Sequence, residues 1–220
     1  MFKKYWRLYA GILAISCVLP TSALALEKPL NMNSNVNPSS FNLETLNVME
    51  LREDVVEQFV KLMDEHAIAV NVAKREGLAS TLTGAMENQE ALFYDKAIEL
   101  GLDPVFVVAL ANHETGAGSS YICINKHNFG GMRGGDGWMS FASREAGIDA
   151  FLNLLVSYSE KGLSTPETMV VRYAANSPAW VGAIRKGMWK IQGSIDQKVA
   201  EVNSYYQLQY DELAKELRIY

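Results

Sequence analysis

The chain has 220 residues, of which 49% are hydrophobic, so it is long enough to bury one compact core with extra segments outside it. Its 20 basic and 25 acidic residues give a formal net charge of −5. A nucleic-acid partner requires a basic surface against the phosphates, and the acidic balance argues against one. Contact with an anionic polymer is therefore expected to be local, within a cleft.

The first 25 residues have the three-part pattern of a secretory signal peptide. A basic segment, an apolar stretch and an A-x-A cleavage pattern follow one another at Lys3–Arg7, Leu8–Leu19 and Ala23–Ala25. The apolar stretch is shorter than the ~20 residues that a spanning helix needs, so we expect cleavage and no stable membrane span afterwards. The mature chain is expected to begin near Leu26 and to be exported, whether secreted, associated with the cell wall or periplasmic.

Cysteine usage limits the chemistry of the mature chain. Removal of residues 1–25 takes away three basic residues and no acidic ones, which lowers the net charge from −5 to −8 and leaves Cys123 as the single cysteine. One cysteine cannot form an internal disulfide, and a free cysteine usually packs as a small hydrophobe. Three histidines and one cysteine without metal-ligand spacing predict neither a metal site nor a cofactor.

The next two segments precede the main domain. Residues 26–42 are rich in Asn, Ser and Pro, which predicts a flexible linker. Residues 43–87 are predicted to form a helical N-terminal extension, because apolar residues recur at helical spacing as far as about Lys74. This amphipathic helix or helix pair offers a surface for a protein partner.

Residues 88–220 are assigned to one mainly α-helical domain. A helix is predicted from about Asn88 to Leu100, ending at Gly101. The next helix is expected to begin at Asp103-Pro104, because Asp is a good N-cap and Pro suits the first helical position. Its residues 105–111 are apolar all round, so this helix should lie in the core and end near Gly116.

The remaining segments predict an irregular lobe followed by more helices. Residues 117–143 are rich in Gly, Ser and Asn, which favours loops with a short β-hairpin. A helix is predicted from Ser143 to Glu160, with Ser143 as N-cap and an apolar face of Ile148, Phe151, Leu152 and Leu155. Residues 166–175 and 179–218 are also predicted to be helical.

Glu114 is the strongest catalytic candidate. At 100° per residue it lies within about 20° of Val107 and about 40° of Leu110 on the helical wheel, so it continues an apolar face and emerges beside the loop lobe. Poor solvation at such a position makes a carboxyl hold its proton more tightly. A glycosidic general acid needs this property.

Four short motifs surround this glutamate in chain order. They read ETGAGSS at 114–120, NFGGMRG at 128–134, FASREAGI at 141–148 and YAANSPAW at 173–180. Together they resemble the motifs of the glucosaminidase family of the lysozyme-like superfamily, whose members hydrolyse bacterial wall glycans. The family pattern begins E-S-G-x-G-x-S, and this chain has Thr115 in the Ser place. The similarity covers residues 88–182, under half of the chain.

The resemblance implies a fold, an activity and a set of site residues. The fold would be lysozyme-like α+β, with a helical lobe and a small irregular or β-hairpin lobe. The activity would be cleavage of β-1,4 bonds in peptidoglycan glycan strands, of the endo-N-acetylglucosaminidase type, with Glu114 as general acid. Tyr173 would face the cut site and position water or substrate. The implied substrate-binding residues are Asn128, Phe129, Gly131, Arg133, Trp138, Asn176 and Trp180.

The sequence leaves the second catalytic group open. Asp136 lies in the loop lobe and is one candidate, because a loop position allows it to swing toward the cleft. Glu145 matches a family position, but capping of its helix explains it equally well. Asp149 is expected on a solvated face. Substrate assistance by the N-acetyl group, or water oriented by Tyr173, are the alternatives.

Other functions compete with this interpretation. A lytic transglycosylase of the same superfamily would use a similar Glu but typically has a G-L-M-Q segment, where this chain has residues 128–131 (NFGG). A muramidase would cut the other glycosidic bond. A non-catalytic wall-binding or assembly protein on the same scaffold is a third alternative, and a metal- or thiol-dependent peptidase is poorly supported by the Cys and His usage.

Overall fold

The structure is a computed structural model that describes residues 53–217. The predicted signal peptide (1–25), the predicted linker (26–42) and residues 43–52 of the predicted extension lie outside the described residues. Within the described range the protein is mainly α-helical with one small sheet, in agreement with the predicted class. None of the helices in this range combines the length and the apolar character needed to cross a membrane.

Seven α-helices and one hairpin make up the described chain. The helices are α1 (Glu53–Ala79), α2 (Ala97–Glu99), α3 (Pro104–Thr115), α4 (Tyr121–Lys126), α5 (Arg144–Ser159), α6 (Pro166–Tyr173) and α7 (Pro178–Leu217). A 3₁₀ turn at Gly84–Met86 follows α1, and a π-helical segment at Ala91–Lys96 leads into α2. The antiparallel strands are β1 (Arg133–Gly134) and β2 (Gly137–Trp138).

The chain divides into two compact units. Of the described residues, the smaller unit holds 53–64 and 209–217, and the larger holds 65–208. In the smaller unit Phe59 stacks on Tyr210, with ring centroids 6.1 Å apart and planes 12° apart, and Val55 is fully buried. The candidate site lies entirely in the larger unit.

The core of the larger unit is built around α3. Its residues 106–111 are all buried, as their uniformly apolar character predicts. The predicted apolar face of α5 is confirmed, since Ile148, Phe151, Leu152 and Leu155 are all buried in the same cluster. Residues of the predicted N-terminal extension also contribute to this core, namely Leu78, Leu82, Ala85 and Met86.

The predicted helix caps on either side of the loop lobe are confirmed. The Asp103 carboxylate accepts a hydrogen bond from the Val105 N–H at 2.9 Å, and Pro104 is the first residue of α3. Gly116 ends α3 in the left-handed conformation, with φ 57°. The Ser143 hydroxyl accepts from the Ala146 N–H at the start of α5, at 3.2 Å.

Two local features differ from the sequence prediction. The helix expected from Asn88 begins at Ala91, because Asn88 has φ 60° and so forms a turn instead of a helical start. The loop lobe contains the short helix α4, which is capped by the Ser120 hydroxyl at the Cys123 N–H. Six helical residues do not produce a recognisable apolar period, so composition alone indicated a loop.

Candidate active site

Glu114 lies in the last turn of α3, at the boundary between the core and the hairpin. Its neighbour Thr115 is fully buried, whereas the Glu114 side chain is half-buried. The Glu114 Oε1 atom accepts a hydrogen bond from the indole Nε1–H of Trp180 at 3.2 Å. The Oε2 atom lies 3.5 Å from the place where a Cβ would stand on Gly131. One carboxyl oxygen is therefore held by α7, and the other faces the hairpin segment.

The surroundings of Glu114 raise the pKa of its carboxyl above the ordinary value of 4.5. Burial has the largest effect because it penalises the charged form. The hydrogen bond from Trp180 and the nearby charge of His113 act in the opposite direction, but burial prevails. The end of a helix carries partial negative charge, which also disfavours an ionised carboxylate there. The Glu114 carboxyl therefore keeps its proton to a higher pH than an exposed glutamate does.

A tight turn directly after Glu114 fixes where the helix ends. Gly116, Ala117 and Gly118 all have positive φ, at 57°, 57° and 76°. The buried Thr115 hydroxyl donates to the Ala111 carbonyl at 2.6 Å and accepts from the Gly118 N–H at 2.8 Å. Threonine therefore supplies the hydroxyl that a serine would supply at this motif position.

The same turn is held from the N-terminal side by the segment after α1. The Thr83 hydroxyl donates to the Ala117 carbonyl at 2.9 Å, and the Ala85 N–H donates to the Gly118 carbonyl at 3.0 Å. A Cβ on Gly118 would overlap the Thr83 carbonyl oxygen, and one on Gly84 would come within 2.7 Å of the Gly118 oxygen. Residues outside the recognised motifs therefore help to position Glu114.

The predicted role of Asn128 as a substrate contact is not what its side chain does in this structure. Asn128 is fully buried. Its amide nitrogen donates to the carbonyls of Met132 and Met139 at 2.8 and 3.0 Å, and its Oδ1 accepts from the Met132 N–H at 2.9 Å. All three of these hydrogen bonds go to backbone groups of Met132 and Met139, which flank the two strands. Asn128 therefore holds the hairpin in place.

Phe129 was also predicted to bind substrate, but its side chain is part of the buried core. Its ring is fully buried and meets Phe93 edge-on, with centroids 5.9 Å apart. The next residue, Gly130, packs so closely that a Cβ would come within 2.5 Å of Phe151. A substrate cannot reach the Phe129 side chain, and the small residue beside it lets the loop approach α5.

Gly131 and Trp138 form the hairpin surface beside Glu114. Gly131 has φ 60°, which favours glycine, and its Cβ position is 3.8 Å from Trp138 Cζ3 as well as 3.5 Å from Glu114 Oε2. Trp138 is 40% exposed, so its ring is accessible for stacking on a sugar. The exposed Arg133 stacks on that ring, with its guanidinium carbon 4.1 Å from the centroid. These three predicted residues are brought together.

Tyr173, at the end of α6, and Trp180, in the first turn of α7, form the other side of the site. Their rings stack with centroids 5.8 Å apart and planes 27° apart. The Tyr173 hydroxyl is buried, and no protein group among residues 53–217 forms a hydrogen bond with it. Burial raises the pKa of Tyr173, and the charge of Glu114 raises it further. The phenol is therefore neutral and electrostatically close to Glu114.

Trp180 does not have the exposed position that its predicted role in substrate binding requires. It is only 7% exposed, so its ring is not available for stacking on a substrate, and its N–H holds Glu114. The strained turn before it contains Ala175 and Asn176, with φ 47° and 65°. Asn176 is exposed there, and its backbone N–H donates to the Val170 carbonyl at 3.3 Å. This turn carries the chain from Tyr173 to Trp180.

The three carboxylates considered as a second catalytic group lie at different places in the structure. Asp136 is exposed in the turn between β1 and β2. Glu145 lies in the first turn of α5, where a hydrogen bond from Ser143 lowers its pKa, which agrees with the capping explanation. Asp149 forms an ion pair with Lys96. Tyr173 is the predicted partner whose hydroxyl is buried and whose pKa is affected by the charge of Glu114.

Sequence reasoning missed two neighbours of the site. His113 meets Trp180 edge-on with ring centroids 6.3 Å apart, and Tyr158 meets Tyr173 in the same way at 6.0 Å. His113 precedes Glu114 directly, which was a usable signal. Tyr158 lies on α5, and no local pattern connects it to Tyr173.

The metal-ligating residue types and the one cysteine of the described range were weak candidates in the sequence. Among residues 53–217, no group of three or more His, Cys, Asp or Glu side chains has an arrangement that could hold a metal ion. Cys123 is a free, buried thiol, as predicted, and burial raises its pKa to about 11. A thiol with so high a pKa is a poor nucleophile at neutral pH.

Comparisons with known proteins give no family assignment. No model of a known protein family matches the sequence. No curated protein matches it as a relative.

Proposed function

We propose that the protein is an exported peptidoglycan hydrolase of the endo-N-acetylglucosaminidase type, with Glu114 as its general acid. The observation that carries the proposal is a half-buried carboxyl with a raised pKa beside an accessible tryptophan. A glycosidic acid must keep its proton until the leaving oxygen takes it, and burial of Glu114 favours this. The small hairpin beside a buried helix agrees with the lysozyme-like fold that the resemblance implies.

The hydrogen bond from Trp180 favours one oxygen of Glu114 as the proton donor. Indole Nε1–H is only a donor, so Oε1 accepts from it at 3.2 Å, and a carbonyl-type oxygen is the better acceptor. In this proposal the proton is therefore on Oε2, which faces Gly131. As the proton leaves, negative charge develops on the carboxylate, and the indole N–H stabilises it. Trp180 is therefore a positioning residue for the acid.

The substrate lies, in this proposal, along the hairpin side of Glu114. Gly131 leaves room beside Oε2, and Trp138 offers an exposed ring for a sugar face. The Tyr173 phenol is neutral because of its raised pKa, and its buried hydroxyl has no hydrogen-bond partner among residues 53–217. In this proposal, substrate binding opens a path to that hydroxyl, which then orients water or the substrate N-acetyl group. No second carboxylate is required in this scheme.

Product analysis tests the proposed reaction. Purified peptidoglycan is digested with the protein, and the fragment ends are identified by mass spectrometry. Reducing N-acetylglucosamine ends are the expected result. Reducing muramic acid ends would assign a muramidase, and anhydro ends a lytic transglycosylase. If no fragments are released, the protein is not a wall glycosidase, and a non-catalytic wall-binding role takes its place.

A further inference from the structure

The hairpin places a positive charge on the same surface as Trp138. Arg133 and Trp138 are directly opposite in the register of β1 and β2. Cross-strand partners project from the same face, and the guanidinium carbon lies 4.1 Å from the ring centroid. The other edge of that ring is 3.8 Å from the Cβ position of Gly131, beside Glu114 Oε2. The Trp138 ring therefore contacts the positively charged Arg133 and also lies next to Gly131, beside the Glu114 carboxyl.

The guanidinium carbon of Arg133 lies 4.1 Å from the centroid of the Trp138 ring. A guanidinium that lies over an aromatic face in this way does not use its in-plane N–H donors for the contact. No carboxylate within residues 53–217 forms an ion pair with Arg133. Arg185, by contrast, donates two hydrogen bonds to Glu167, at 2.8 and 2.9 Å. The contact with Trp138 therefore holds Arg133 near the ring and leaves its N–H donors for a ligand.

The local charge of the loop lobe is suited to binding an anion. Residues 117–143 contain two basic residues and one acidic residue, whereas the whole chain has 20 basic and 25 acidic residues. The second base, Lys126, donates from Nζ to the Trp138 carbonyl at 3.4 Å. Both positive side chains of this lobe therefore contact Trp138, and the acidic Asp136 lies in the exposed turn.

We infer that Arg133, held against Trp138, is a specificity-determining residue that binds a carboxylate of the wall polymer next to the bond at Glu114. The inference rests on the proposed function. A guanidinium fork matches a carboxylate in a bidentate way. In peptidoglycan such carboxylates belong either to the lactyl substituent of the muramic sugar, once its peptide is removed, or to the stem peptides.

The experiment compares substrates with and without free carboxylates. Glycan strands are prepared with their peptides and after removal of the peptides by an amidase. Half of each preparation is treated so that all carboxyls become methylamides. The native protein is compared with Arg133→Met, which keeps an unbranched side chain against Trp138, and with Arg133→Lys, which keeps the charge. Lys186→Met, at an exposed position of α7, is the matched control.

We expect Arg133→Met to lower kcat/KM about tenfold on unmodified strands, because a charge-assisted hydrogen bond is lost. On methylamidated strands it should equal the native protein. Arg133→Lys should retain more activity than Arg133→Met, and Lys186→Met should match the native protein on every substrate. A loss on peptide-free strands identifies the lactyl carboxylate, and a loss confined to peptide-bearing strands identifies the stem peptide.

Two results would overturn the inference while leaving the proposed function intact. One is equal kcat/KM for Arg133→Met and the native protein on both unmodified substrates. The other is the same loss on unmodified and methylamidated strands, which would indicate general damage to the site. Thermal unfolding of each variant, followed by circular dichroism, checks that the fold is kept. A native protein without activity on any strand contradicts the proposed function itself, and the inference falls with it.

Discussion

Replacing Trp180 with Phe removes the indole N–H that donates to Glu114, while a ring remains to stack on Tyr173. The donor distance of 3.2 Å is longer than the ~2.7–2.9 Å of strong charge-assisted bonds, so we take the low end of their contribution, about 1.5 kcal/mol. This bond strengthens as Glu114 becomes ionised in the transition state. Its loss should lower kcat about tenfold.

The same substitution has a definite effect on pH dependence. The hydrogen bond from Trp180 lowers the pKa of Glu114, so without it this pKa should rise further. Since the acid must be protonated, the alkaline limb of the kcat profile should move to higher pH in Trp180→Phe. Trp189, which is 80% exposed on α7, provides the matched control variant Trp189→Phe.

The assay is release of reducing ends from wall glycan between pH 4 and pH 9, with circular dichroism to confirm the fold of each variant. An alkaline limb that moves to lower pH in Trp180→Phe would refute the reasoning. So would a kcat equal to that of the native protein. In either case the indole N–H would not act on the Glu114 carboxyl during the reaction.

Three further changes test other parts of the account. Tyr173→Phe removes a buried hydroxyl that has no partner in the described chain. The free energy of unfolding in urea should therefore stay equal or increase by up to about 1 kcal/mol, while kcat falls. A loss of both stability and kcat would contradict the proposed role of the Tyr173 hydroxyl in the reaction. Gly147→Ala would overlap the His127 carbonyl oxygen and should cost roughly 3 kcal/mol or more, whereas Gly193→Ala, in open space on α7, should stabilise by up to ~1 kcal/mol. Because the folded state raises the pKa of Glu114 above 4.5, the folded protein binds this proton more tightly and loses stability as pH rises. Glu114→Gln should therefore be more stable than the native protein at pH 7, with a difference that shrinks toward pH 4; a difference independent of pH would contradict the raised pKa.

Local features of the fold were predictable because their physical cause lies within a few residues. The caps at Asp103 and Ser143 need only a short polar side chain at the correct offset, and both formed as expected. The burial of α3 follows from an apolar run without a polar face. The placement of Glu114 at its end followed from helical geometry alone.

The roles of the site residues depended on contacts that local patterns do not contain. Trp180 is 66 residues from Glu114 along the chain, and its N–H reaches the carboxyl only because α7 lies beside α3. The motif at 128–134 directs attention to Asn128, but it does not show whether the side-chain amide faces a sugar or the hairpin carbonyls. Burial decides this question in favour of the hairpin.

The most direct test of the central claim compares turnover by the native protein, Glu114→Gln and Glu145→Gln on purified wall glycan at one pH. Glu145 is the matched control, because it is an exposed carboxylate in the first turn of α5. Glu114→Gln should lose activity by about a hundredfold or more, the usual contribution of a general acid, while Glu145→Gln should stay close to native. Retained activity in Glu114→Gln, with native-like unfolding, would contradict the assignment of Glu114 as the acid.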